Sequence, residues 1–167
     1  MGRPPITLDP DQDFEPDLEP VTGARDEAVR ILALNYPNNP TTAVASNEYL
    51  REAVEFCHRH GMLLVYDNAY SELAFDGYSP PSIFQIDGAR EVSLEFHSFS
   101  KTFNMTGWRI GFAVGNRAAL TALAEFPWNF RFLAREGSST DHPVIGTVAM
   151  EGLRGISERP DFEQFFG

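Results

Sequence analysis

Lys101 stands among small hydroxyl residues, with Ser98 and Ser100 before it and Thr102 after it, and Arg109 follows in the same run. A lysine amine forms an imine with an aldehyde once its surroundings lower a pKa that is about 10.4 when unperturbed. Arg109 is the nearby cation. A guanidinium grips phosphate oxygens with two parallel N–H donors, and the hydroxyls of Ser98 and Ser100 can donate to the same group. The run has the layout of a Schiff-base lysine beside a phosphate site. A lysine without such neighbours is most often a solvated surface charge, so the assignment depends on them.

A second chemical group lies upstream in Val65-Tyr66-Asp67-Asn68-Ala69-Tyr70. A carboxylate facing a pyridine nitrogen keeps that nitrogen protonated, which lets the ring accept electrons. Asp67 can do this, although taken alone it reads better as a turn or helix-capping aspartate just after a strand.

The surrounding pattern supplies elements to position these groups. Residues 28–36 (AVRILALNY) read as a buried strand ended by Pro37-Asn38-Asn39-Pro40. Ser46 is a helix N-cap, Leu50, Ala53, Val54 and Cys57 follow helical spacing, and His60-Gly61 ends the helix. Residues 62–66 (MLLVY), 91–96 (EVSLEF) and 109–114 (RIGFAV) read as further strands, with turn chemistry at 76–81 (DGYSPP) and helices at 118–126 and 146–153. Nearly continuous apolar strands predict an α/β domain whose mostly parallel sheet is buried on both faces. In such sheets ligands bind beyond the carboxyl ends of the strands. Asn39, Asp67 with Tyr70, and Ser98, Ser100 and Lys101 each follow a strand, so adjacent parallel strands would bring them to one crevice.

Composition narrows the classes. The 167 residues are 43% hydrophobic and include 14 Phe, enough for a packed core. Twenty-four acidic against 13 basic residues give a net charge of −11, which argues against nucleic acid or an anionic membrane surface as partner. The single cysteine, Cys57, falls within the helical stretch as a buried, inert thiol and permits no intramolecular disulfide. The N-terminus runs into Asp-rich sequence and no apolar stretch approaches membrane-spanning length, so a cytoplasmic location is expected. No Cys/His spacing suggests a metal site. His58 and His60 are expected to meet the last carbonyls of their helix, and His97 to line the core.

Three segments together resemble the class I/II aminotransferases, the fold-type-I enzymes that use pyridoxal 5'-phosphate. They are Leu34-Asn35-Tyr36-Pro37-Asn38-Asn39-Pro40-Thr41, the Asp67-x-x-Tyr70 pair, and the run from Ser98-x-Ser100-Lys101 to Arg109, in the family's order and approximate spacing. The similarity covers about residues 8–124, and its texture is similar to the branch that holds LL-diaminopimelate aminotransferase and related aspartate/alanine-type enzymes. The resemblance implies the central part of the fold-type-I large domain at residues 28–155, after an acidic, proline-rich segment at 1–27 and before a tail at 156–167. It implies that Lys101 carries the cofactor and shuttles a proton, that Asp67 pairs with the pyridine nitrogen, and that Asn39 and Tyr70 hydrogen-bond the ring hydroxyl oxygen. Ser98, Ser100 and Arg109 would hold the phosphate. It further implies amino acid and 2-oxo acid substrates, and a homodimer if the fold is completed.

The departures matter too. Thr42 stands where the family commonly has glycine, Trp108 matches the motif as a packing residue, and residues 125–145 match poorly. Family members are more than twice as long, and the parts not matched carry a phosphate loop, an aromatic that stacks on the cofactor and an arginine for the substrate carboxylate. An aminotransferase, a carbon–sulfur lyase or synthase of the same fold, and a truncated non-catalytic domain all remain open readings.

Overall fold

The computed structural model describes residues 8–20, 29–125 and Pro160. The helix expected at 146–153, all but the first residue of the poorly matching 125–145 stretch, and most of the two terminal segments lie outside the described residues. Four strands form one sheet in the order β1 (Ile31–Asn35), β2 (Leu63–Asp67), β3 (Ser93–Ser98) and β4 (Gly111–Gly115). The first three are parallel, and β4 runs antiparallel to β3. The chain thus has the α/β, mostly parallel architecture that its pattern predicts.

Helix α1 (Asn47–His60) forms where the sequence signals it. Ser46 Oγ accepts from the backbone N–H of Tyr49 at 3.0 Å, filling one of the donor positions that a helix start leaves open. Gly61 ends the helix in the left-handed conformation, at φ 58°. The periodic residues Leu50, Ala53, Val54 and Cys57 are all buried and pack with Leu32, Leu34, Leu64 and Tyr66 from one face of the sheet. Burial pushes the Cys57 thiol up to about 12, which suits its inert role. The opposite face, with Leu63, Val65 and Leu94, packs against Ala119 and Ala122 of α4 (Arg117–Glu125). Alternation along β1 and β2 thus feeds two cores.

Strand limits shift from the sequence reading for local reasons. Residues expected to open the third strand instead form the helical turn α2 (Ala89–Val92), which starts from Gly88 at φ 79°. The strand then runs on through His97 and Ser98, because both pair with β4, at Phe112 and Gly111. The fourth strand, expected from residue 109, begins at Gly111. A 3-10 turn at Thr106–Trp108 precedes it, and Arg109 is left-handed at φ 53°. β4 lies so near β3 that a Cβ on Gly111 would collide with the His97 carbonyl, and one on Gly115 with the Ser93 carbonyl. Glycine at both ends is what allows the pairing.

The histidines and Trp108 correct the sequence reading. His58 turns away from its own helix end and places Nε2 2.8 Å from the Gly88 carbonyl oxygen. His60 packs its ring against Phe56 at 4.5 Å. Trp108 stands 71% exposed instead of packing among the described residues.

Thr42 occupies φ 63°, within a turn where Thr42 N–H donates to Asn38 O at 2.8 Å. A β-branched residue is strained there by about 1–2 kcal/mol, while glycine loses roughly 0.5–1 kcal/mol more backbone entropy on folding. Thr42→Gly should therefore raise stability by about 0.5–1 kcal/mol in a denaturant titration. A loss of stability would show that the 2.6 Å bond from Thr42 Oγ1 to the Thr41 carbonyl outweighs the strain.

Candidate active site

The carboxyl ends of the three parallel strands share one edge, β1 and β2 ending level and β3 running two residues further, to Ser98. Asn35 pairs in register with Asp67, and Asp67 with Phe96, so the chain leaves β1, β2 and β3 along one edge. Asn35 then stitches the first loop down. Its Nδ2 donates to the Asp67 carbonyl at 3.1 Å, while its Oδ1 accepts from the N–H of Asn39 at 3.1 Å. Asn39 is thereby turned toward the neighbouring loop, where its Nδ2 donates to the Tyr70 hydroxyl at 3.2 Å.

Tyr70 in turn meets Lys101, whose Nζ lies 5.4 Å from the centre of its ring. Lys101 belongs to the single helical turn α3 (Phe99–Thr102), which Ser98 caps by accepting from the N–H of Ser100 at 3.2 Å. Ser100 is buried, and its Oγ accepts from Arg109 Nη1 at 3.4 Å; the same nitrogen donates to the Thr106 carbonyl at 3.0 Å. The left-handed backbone of Arg109 aims the guanidinium back at the lysine turn. An arginine in that conformation is uncommon and strained, as residues at functional sites often are.

Of the seven residues singled out in the sequence, Asn39, Tyr70 and Lys101 form one contact chain, and Ser98, Ser100 and Arg109 another. The lysine turn joins them. Asp67 belongs to the same edge through the sheet register, and its Oδ1 accepts from the Ala69 N–H at 3.2 Å, the turn contact that such an aspartate makes. Part of the Asp67 side chain faces solvent, yet loss of solvation on its protein side pushes its pKa up. The Ala69 hydrogen bond and the charge of His97 oppose this without cancelling it.

This arrangement can hold a molecule with a carbonyl at one end and a phosphate at the other. An amine, a phenol, two hydroxyls and a guanidinium supply the contacts, and a carboxylate pushed toward protonation stabilises a cation placed beside it. Among the described residues no His/Cys/Asp/Glu group is arranged to hold a metal ion, and no helix is long and apolar enough to cross a membrane.

Sequence reading missed a neighbouring group. Glu95 of β3 is fully buried and accepts from Asn68, Ser82, Ile83 and His97. The available signal was a charged residue inside an otherwise apolar strand, two positions before a histidine.

The shift at Asp67 has a measurable sign. Between the ordinary carboxylate value and the raised folded value, the folded chain binds more protons than the unfolded chain, so stability falls as pH rises through that window. Asp67→Asn removes the charge and keeps an oxygen for the Ala69 N–H. Its urea midpoint should match the parent at low pH and exceed it at neutral pH. A less stable variant at neutral pH would mean that the Ala69 and His97 interactions dominate burial.

The comparisons with known proteins agree with this geometry. A family model described as "Aminotransferase class I and II" matches residues 2–140. LL-diaminopimelate aminotransferase from Natranaerobius thermophilus is 52% identical over 164 residues, covering 93% of this chain and 42% of that protein. The apo structure of BacF from Bacillus subtilis superposes with a TM-score of 0.68 at 42% identity, over 71% of this chain and 30% of that one. A double mutant of aspartate aminotransferase from Thermus thermophilus superposes with a TM-score of 0.66 at 28% identity, over 96% of this chain and 38% of that one. The chain thus spans less than half the length of these proteins. With the strand order, the lysine turn and the match over most of its length in agreement, the chain belongs to the class I and II aminotransferase family.

Proposed function

We propose that this chain is the cofactor-binding part of a pyridoxal-phosphate-dependent aminotransferase that moves an amino group between an amino acid and a 2-oxo acid. The observation that carries the reading is the contact chain Asn39–Tyr70–Lys101 lying beside Ser98–Ser100–Arg109 at one end of a parallel sheet. LL-diaminopimelate, the substrate in the name of the 52% identical relative, is the first amino donor to assay.

The residues present fit the group. Pyridoxal phosphate supplies, when bound, an aldehyde that condenses with amines and a pyridinium ring that draws electrons from a substrate carbon. Arg109 binds the phosphate with its guanidinium, and Ser98 and Ser100 add hydroxyl donors. Tyr70 already accepts from Asn39 Nδ2, which leaves its own proton to donate toward a ring oxygen. The Asp67 carboxylate binds a protonated ring nitrogen, and that cation offsets the desolvation that raises its pKa. Lys101 Nζ is the amine that would hold the cofactor's aldehyde end, and as a free amine it would serve as the general base that takes and returns a proton.

The test is direct. Pyridoxal phosphate added to the purified chain should give a visible absorption band, and borohydride should fix the label on Lys101 by peptide mass mapping. Lys101 is the only lysine in the sequence, so label found on the N-terminal amine in its place, or label that survives Lys101→Ala undiminished, would overturn the assignment. Arg109→Lys keeps the charge but loses the paired donors, so cofactor affinity should fall roughly tenfold, the worth of one charge-assisted hydrogen bond. Unchanged affinity would remove Arg109 from the phosphate site.

A further inference from the structure

Glu95 is fully buried, and its two carboxylate oxygens divide four donors evenly. Oε1 accepts from Asn68 Nδ2 at 3.0 Å and lies 2.9 Å from His97 Nε2. Oε2 accepts from Ser82 Oγ at 2.7 Å and from the Ile83 N–H at 2.9 Å. A carboxylate removed from water costs several kcal/mol unless such donors replace its solvation, and an apolar side chain of similar volume often serves stability as well or better. Packing alone therefore gives no reason for a carboxylate here.

The partners suggest the reason, because they come from three separate segments. Asn68 directly follows Asp67 and opens the loop that leads to Tyr70. His97 directly precedes Ser98, at the strand end that delivers Ser100 and Lys101, and its ring stacks on Phe112 of β4 at 4.6 Å with 13° between planes. Ser82 caps and Ile83 opens a 3-10 turn, Ile83–Gln85, and Ile83 belongs to the core that holds Leu64 and Tyr66. The orientation of Asn68 is fixed, because its Nδ2 faces two acceptors, Glu95 Oε1 and the Pro81 carbonyl at 3.5 Å. The backbone repeats the tie, with Asn68 N–H donating to the Phe96 carbonyl at 2.9 Å.

We propose that Glu95 is a positioning residue: by holding Asn68 and His97 at once, its carboxylate fixes the Asp67–Tyr70 loop against the strand end that presents Ser98, Ser100 and Lys101. It touches none of the reacting groups. The proposal rests on the cofactor assignment above for its consequence, cofactor affinity, but its structural content stands apart from that assignment and is measured without ligand.

Three variants of the full chain test it: Glu95→Gln, Asn68→Asp and the two combined. Glutamine turns an amide donor toward groups that are themselves donors, and aspartate at 68 sets two carboxylates face to face. Together they restore a donor–acceptor pair with the roles exchanged. Hydrogen exchange at the amides of Asn68, Ala69 and Ser71 is compared with exchange along the β1–β2 ladder, and pyridoxal phosphate affinity is read by absorbance. Each single variant should speed exchange at those three amides selectively and weaken cofactor binding roughly tenfold. The double variant should recover part of both losses relative to Asn68→Asp. Acceleration spread evenly over the sheet, or no recovery in the double variant, would reduce Glu95 to a structural residue and overturn the proposal. If the parent chain takes up no pyridoxal phosphate at Lys101, the cofactor assignment fails, and the exchange comparison alone decides the role of Glu95.

Discussion

The parallel register that gives β1, β2 and β3 one carboxyl edge is the constraint on which the rest of the site depends. Asn35, Asp67 and Phe96 lie side by side in the ladder. Hydrogen bonds carry the ladder past the strand ends, from the Tyr36 N–H to the Asp67 carbonyl at 3.2 Å and from the Asn68 N–H to the Phe96 carbonyl at 2.9 Å. A slip of one residue in β2 would move Asp67 to the other face of the sheet and draw Leu63 and Val65 out of their core. The burial that sets the register therefore also decides which side chains reach the crevice. Apolar contacts near the middle of the strands control polar geometry at their ends.

The lysine segment depends on a second constraint, the reversal between β3 and β4. The Phe99 N–H donates to the Ile110 carbonyl at 3.0 Å and closes the base of the excursion that holds Lys101. Gly111 and Gly115 let β4 approach β3 closely, and the left-handed Arg109 turns the chain into β4 while returning its guanidinium to Ser100. A strand starting at residue 109 would have extended that backbone and aimed the side chain elsewhere. The strain at Arg109 and its contact with Ser100 are two results of one turn.

How much of this was legible in the sequence follows from the range of each interaction. Helix α1 could be read almost to the residue, because Ser46, the spacing of Leu50, Ala53, Val54 and Cys57, and Gly61 are local signals. The strands were legible as elements but not at their ends. Whether Val92 is helical and Ser98 extended depends on the partner strand β4, which no local window contains. The contacts among Asn39, Tyr70 and Lys101 were foreseeable as a convergence of loops after strands, although their distances were not. Glu95 was the least legible. Its meaning comes from Asn68 and Ser82, 27 and 13 residues away in sequence, and periodicity carries no information about such partners.

Three departures from local preference lie in or beside the candidate site. Arg109 is left-handed, Asp67 is held where burial disfavours its charge, and Glu95 is an ionisable group surrounded by donors in the interior. Elsewhere Ser46 caps its helix, Gly61 ends it and alternating apolar residues fill the two cores, although Asp13, Phe14 and Asp76 also take positive φ. The desolvation at Asp67 is the most specific of these departures, because it has a sign. Loss of solvation on the protein side of Asp67 disfavours its charge, and a cation brought beside it would favour the charged form again.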